Sequence, residues 1–303
     1  MNPILALIIT NIIWGAASPI FKFALINIPP FTLAFIRFFF AGLIFLPLTI
    51  FNWEKISLKR WLEIFLVGFF GIVINISFFF LGLKKTESIY APIIASSAPV
   101  FLYIFSIIFL KEKPKLKVFL GMMVSFLGVV IIVFSPVFLN NKSFSFGEVE
   151  GNLFLLLATL GYVFSTLIGK DLMKKVNPYF VSCFSFLLSS IFFLIFIFVF
   201  NEFNNWNFNQ LDFNGWIGII FGVFFSSAAA YFLFYYGIKK ISGQEIGVFT
   251  YIDPVVALII AWPLLGEKPD FFYLIGSVLV FAGIYFAENR IHWHPVFKVK
   301  HRT

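Results

Sequence analysis

Runs of about 20 apolar residues, separated by short polar or proline-bearing connections, recur along the whole chain. A bilayer core is about 30 Å thick and offers the backbone no hydrogen-bond partner, so each such run predicts one transmembrane helix. Ten are predicted: Ile4 to Ile26, Phe31 to Phe51, Trp61 to Leu83, Ile89 to Leu110, Leu116 to Phe138, Gly151 to Lys170, Pro178 to Phe200, Gly215 to Gly237, Glu245 to Leu265 and Phe271 to Ala287. The runs are continuous instead of alternating, which excludes transmembrane strands. Connections such as Asn27 to Pro30 are too short for anything but antiparallel neighbours, and their prolines end one helix and start the next. The first run lacks a basic segment before it, and Pro19 directly follows the small residues Ala16, Ala17 and Ser18, so it reads as a retained span and not a cleaved signal.

Composition narrows the class further. Of 303 residues, 61% are apolar and 12% charged, against about 45–50% and about 25% in soluble domains. The lone cysteine, Cys183, cannot form an internal bridge. Of the 22 Lys and Arg, 16 fall in the tail and the loops after spans 2, 4, 6 and 8. Five fall after spans 1, 3, 5, 7 and 9, and Arg37 lies inside span 2. The positive-inside rule therefore puts both termini in the cytoplasm of a multi-pass cell-membrane protein. The net charge of +8 has the same origin, and the basic tail (Arg290, Lys298, Lys300, Arg302) reads as a headgroup anchor, not a nucleic-acid patch.

The chain also repeats itself. An offset of 148 pairs Asn11, Trp14, Ser18, Lys22 and Pro30 with Thr159, Tyr162, Thr166, Lys170 and Pro178. An offset of 155 pairs Gly82, Lys84, Lys85 and Pro99 with Gly237, Lys239, Lys240 and Pro254. It also pairs Glu112, Lys113, Pro114, Gly121 and Gly128 with Glu267, Lys268, Pro269, Gly276 and Gly283. The unit has five spans, an odd number, so the second copy must cross the membrane in the opposite sense. The expected fold is an all-α polytopic membrane protein, ten transmembrane helices as two inverted five-helix repeats. The repeats are residues 1–138 and 151–287, with a linker at 139–150 and a basic cytoplasmic tail at 288–303. Inverted repeats are the usual build of secondary transporters, whose substrate sits near the midplane between two halves that rock around it.

Trp14-Gly15 in span 1, Arg37 in span 2, Ala98-Pro99-Val100 followed by Glu112, and Asp253-Pro254-Val255 followed by Leu265-Gly266-Glu267 resemble the drug/metabolite transporter superfamily. Within it the chain is similar to the EamA-type ten-span exporters, over Ile4 to about Glu288. The resemblance implies a proton-coupled or facilitated exporter of amino acids and other small metabolites, with a central cavity lined by both halves. One departure is that the family usually carries Glu before the proline of span 9, where this chain has Asp253.

Several side chains are candidates for the site. Asn11, Trp14, Ser18 and Lys22 share one face of span 1, and Thr159, Tyr162, Thr166 and Lys170 repeat that face in span 6. Such a stripe either lines a cavity or serves helix packing. The two lysines reach the interface and are expected to snorkel. Asn75 needs partners from another helix, water or a ligand. Gly218, Gly222 and Ser226 in span 8 read as a close-packing stripe, and Pro92, Pro99 and Pro254 as kinks. Glu112 and Glu267 fall at span ends and are expected at the interface.

Asp253 is the sharpest candidate. A mid-span carboxylate costs at least about 2.5 kcal/mol to insert, and Thr250 lies one turn before it on the same face. Arg37 is the other deep charge, and a structural ion pair with Asp253 competes with a substrate role. Asp253, Thr250, Arg37, Trp14, Ser18, Asn75, Tyr162 and Thr166 are the expected substrate-binding residues. No hydrolase elbow, phosphate-binding loop or paired cysteine motif is present, all three histidines lie in the tail, and no enzyme activity, metal or cofactor is expected. The 48 phenylalanines read as composition bias and lipid-facing bulk. The expectation is a secondary transporter exporting small, amino-acid-like metabolites by alternating access, as a monomer or dimer in the lipid bilayer. A proton is a candidate coupling ion, and no nucleic-acid partner is expected. The alternative is a passive pore or a non-transporting scaffold.

Overall fold

The computed structural model describes residues 2–110, 116–139, 146–205, 209, 211–239 and 249–288, and among them every regular element is helical. The helices are α1 (Pro3–Ala24), α2 (Pro30–Phe51), α3 (Leu58–Lys85), α4 (Tyr90–Ala95), α5 (Ala98–Leu110) and α6 (Leu116–Leu139). They continue with α7 (Phe146–Leu172), α8 (Pro178–Val199), α9 (Phe213–Ile238), α10 (Ile252–Leu265) and α11 (Phe271–Glu288). Six of these, α1, α2, α3, α7, α8 and α9, are long and apolar enough to cross a membrane. Further apolar helical segments run over Tyr90–Phe101, Phe119–Ser135, Ile252–Leu265 and Phe271–Gly283. The molecule is a polytopic membrane protein. Large apolar side chains such as Phe51 and Phe213 remain exposed on its outside, as a hydrocarbon solvent allows.

Helix starts follow from the sequence. Asn2 caps α1 by accepting from Ile4 N at 2.9 Å, and Pro3 occupies the first helical position. α2 begins at Pro30 without a cap of its own. Its first donors go instead to Glu202 in the short helix Glu202–Asn205: Phe31 N at 3.2 Å, Thr32 N at 2.7 Å and Thr32 Oγ1 at 2.9 Å. Glu54, just after α2, does the same for α8, accepting from Asn177 N at 3.4 Å and from Asn177 Nδ2. Each of the packed helices α2 and α8 is thus capped from the connection that follows the other.

Glycines set the close crossings. A Cβ on Gly128 would lie 2.6 Å from Gly276 O, and one on Gly283 would lie 2.4 Å from Gly121 O, so α6 and α11 touch backbone to backbone twice. A Cβ on Gly82 would meet Leu155 at 2.8 Å where α3 crosses α7, and one on Gly237 would meet Leu7 at 2.6 Å where α9 crosses α1.

Three features depart from the sequence reading. Span 4 is two helices, α4 and α5, interrupted at Ser96 and Ser97, and Pro99 sits in the first turn of α5. A proline there needs no kink, because the first turn has unpaired donors anyway. In span 9, described from Phe249, the helix starts at Ile252, so Pro254 also lies in a first turn and Asp253 stands beside it there. Residues 240–248 and Glu112 lie outside the described residues. Finally, α3 and α9 each contain a π-helical stretch, Phe69–Ile74 and Phe221–Ala229, which no periodicity in the sequence announces.

Candidate functional site

The α1 stripe faces inward. Trp14 is half-buried and donates Nε1–H to the carbonyl of Ser226 in the α9 π stretch, at 3.2 Å. Its ring meets Tyr231 at 5.3 Å, Phe234 at 5.0 Å and Tyr162 at 6.3 Å between centroids. These are the edge-on and tilted arrangements that aromatic quadrupoles favour. The expected partners Trp14 and Tyr162 are therefore brought together from α1 and α7. Next to Trp14, Gly15 lets α1 press onto the start of α10, where an added Cβ would lie 2.8 Å from Asp253 O and 2.9 Å from Val256 Cβ.

Asp253 is 9% exposed, and its Oδ1 has no hydrogen-bond partner among the described residues. It stands in the first turn of α10, where the helix dipole favours a carboxylate. Its own N–H donates to Thr250 O at 3.3 Å, so the buried Thr250 shapes the turn that presents it. Tyr162 lies within electrostatic range of the carboxylate. Ser18, 2% exposed, also keeps an Oγ without a partner among the described residues, as does Asn11 at Oδ1.

Arg37 is held differently from the ion pair weighed above. Among the described residues no carboxylate lies within 4.0 Å of it. Instead Nε donates to Ser227 Oγ and Nη2 to Ser226 Oγ, both at 2.8 Å. Phe21, Phe38 and Phe80 turn ring faces to the guanidinium, with centroids 4.4, 4.8 and 5.9 Å from Cζ. Cation–π attraction and two hydroxyl oxygens replace part of the lost hydration.

The packing stripe of span 8 needs a matching correction. Gly218 and Gly222 do admit neighbours, since Cβ atoms there would meet Ala24 at 2.2 Å and Arg37 Cδ at 3.1 Å, but Ser226 is a polar ligand of both Arg37 and Trp14. The phenylalanine reading also changes, because Phe21, Phe38 and Phe80 are fully buried against a charge. Ser227 and Tyr231 were not singled out from the sequence. A pair of serines inside an apolar run was the available signal.

Two candidates have protein partners. Asn75 donates to Ala158 O at 2.8 Å and ties α3 to α7, and Thr166 donates to Tyr162 O at 2.8 Å within its own helix. Lys22 does not snorkel freely. It donates to Thr86 O and pairs with Glu267 at 3.4 Å. Glu267 is 7% exposed and accepts from Ser88 N at 2.9 Å, Ser88 Oγ at 2.6 Å and Ile89 N at 3.2 Å, so it caps the approach to α4 instead of facing water.

A polytopic bundle with polar side chains converging inside it is the setting of membrane transport, and comparison with known proteins decides the family. The EamA-like transporter family model matches residues 1–134 and 149–288. The chain belongs to the EamA-like transporter family. It is therefore a member of the drug/metabolite transporter superfamily. An uncharacterized transporter of Archaeoglobus fulgidus is 27% identical over 294 residues, covering 95% of this chain and 98% of its own. The uncharacterized transporter YxxF of Bacillus subtilis is 27% identical over 287 residues, covering 93% and 88%. A solved crystal structure superposes on this EamA-like chain with a TM-score of 0.65 at 16% identity, covering 93% of this chain and 96% of its own. That likeness supports the fold alone.

Proposed function

We propose that this EamA-like protein is a secondary transporter that exports small, amino-acid-like metabolites by alternating access, with its substrate at a central site between two inverted five-span repeats. The observation that carries the reading is Asp253: a buried carboxylate whose Oδ1 has no partner among the described residues, at the first turn of α10, against Gly15 beside Trp14. Helix ends that face the bundle interior suit ion and substrate sites.

The inverted repeat is supported by contacts that exchange under the two offsets. Gly82 on Leu155 matches Gly237 on Leu7, and Gly128 on Gly276 matches Gly283 on Gly121. Glu54 at the start of α8 matches Glu202 at the start of α2. The π stretch at Phe69–Ile74 matches the second half of Phe221–Ala229. A half-turn in the membrane plane relates all of these, with ten spans in total and both termini cytoplasmic.

In this reading Asp253 takes the cationic end of the substrate in one state and a proton in another, while Trp14, Tyr162, Ser18 and Thr250 surround it. Asp253→Asn is expected to insert and fold while losing flux or its pH dependence in inverted vesicles loaded with an amino-acid panel. Normal flux with unchanged pH dependence would remove Asp253 from the site. Absence of saturable flux for every solute would favour the scaffold reading, and non-saturable flux the pore.

A further inference from the structure

We propose that Arg37, Ser226 and Ser227 form a receptor for the carboxylate of a small organic solute, distinct from the Asp253 end of the site. The inference takes from the transport reading only that a solute enters the centre of the bundle.

Arg37 is 2% exposed, and an unmatched cation inside a membrane protein is costly. A guanidinium has five N–H donors in a fixed planar fork. The two serines occupy the edge formed by Nε and Nη2. Nη1 is buried and has no partner among the described residues, so the edge formed by Nη1 and Nη2 keeps its donors. Phe21 and Phe38 present their ring faces to Cζ, with centroids at 4.4 and 4.8 Å. Two parallel N–H donors in a plane match the two oxygens of a carboxylate.

The serines add to the receptor. Each hydroxyl oxygen accepts from Arg37, and neither hydroxyl donates to another described residue, so both O–H groups remain available to an anion. They stand in the π stretch of α9, a backbone form frequent at functional sites. The same Ser226 receives Trp14 through its carbonyl, and Gly15, next to Trp14, presses on Asp253. A bound carboxylate thus supplies the counter-charge that no described carboxylate gives Arg37, and directs the rest of the solute past Trp14 toward Asp253.

The test is thermal unfolding of the purified protein with sodium formate and sodium acetate as probes. Sodium chloride at matched ionic strength and acetamide serve as controls. A ligand of the folded state raises the midpoint by mass action, and at ten times its Kd a rise of about 3–5 °C is expected. The rise should saturate, be absent with chloride and acetamide, and vanish in Arg37→Gln and in the Ser226→Ala/Ser227→Ala double variant. If Arg37→Gln fails to fold, the double variant, which keeps the charge, decides. No carboxylate-specific rise in the wild type, or an equal rise in the folded variants, would overturn the receptor. An equal, variant-sensitive rise with chloride would replace it with a halide site. Flux without carboxylate binding removes only the receptor, and carboxylate binding without flux removes only the transport reading.

Discussion

Glu202 caps α2 with a buried carboxyl, accepting from Phe31 N and Thr32 N. Burial holds its carboxyl above the ordinary carboxylate value, against the opposing donors of Phe31 and Thr32 and the charge of Lys84. A raised folded value means that the folded chain binds the proton more tightly than the unfolded one. The stability linked to that proton is full below the ordinary carboxylate value and is lost as pH rises through the folded value. The unfolding midpoint should therefore fall over that window, and Glu202→Gln should flatten the fall when midpoints are measured from pH 4 to 8. An unchanged slope in the variant would assign the proton elsewhere. Gly15→Ala is the complementary test of geometry at this scale. Its Cβ would lie 2.8 Å from a backbone oxygen, so α1 must move off α10, at about 1–3 kcal/mol read as a lowered midpoint.

Among elements, the two π stretches depend most directly on register. A π stretch fits an extra residue into a widened turn, so deleting one residue from it restores α-helical hydrogen bonding and narrows that turn. Removing Ile72 should keep the helix content seen by circular dichroism while withdrawing Gly71 O, which receives the Tyr231 hydroxyl at 3.3 Å, and lowering flux. Retained flux would show that the stretch is incidental. These stretches mark the limit of what the sequence discloses. Continuous apolar runs disclose helices nearly to the residue, as with Pro178 to Phe200 against Pro178–Val199. Repeat offsets disclose which glycines matter. Hydrogen-bond register inside an apolar run leaves no such trace, because the side chains remain apolar in either form. Arg37 was legible as a deep charge, but its partners stand some 190 positions away on α9, where only folding brings them together. The interruption at Ser96 and Ser97 was masked by prolines that suggested kinks instead.

Across the whole molecule, orientation is the property that charge alone predicts. Cys183 is buried, so a cysteine placed at Lys85 or at Thr303 can be followed against a quiet background. In intact cells an impermeant maleimide should label Lys85→Cys and spare Thr303→Cys until the membrane is opened, and the reverse pattern would invert the topology. The exchanged caps of α2 and α8 carry a further consequence, for the order of synthesis. When α2 leaves the ribosome, the carboxylate that will receive Phe31 N and Thr32 N lies in a segment not yet translated, whereas Glu54 is already waiting when α8 arrives. The amino-terminal half is thus born with an unfinished helix start that only its sibling completes. A stop codon placed in the linker should leave a fragment prone to degradation, and co-expression of residues 146–303 as a separate chain should rescue it.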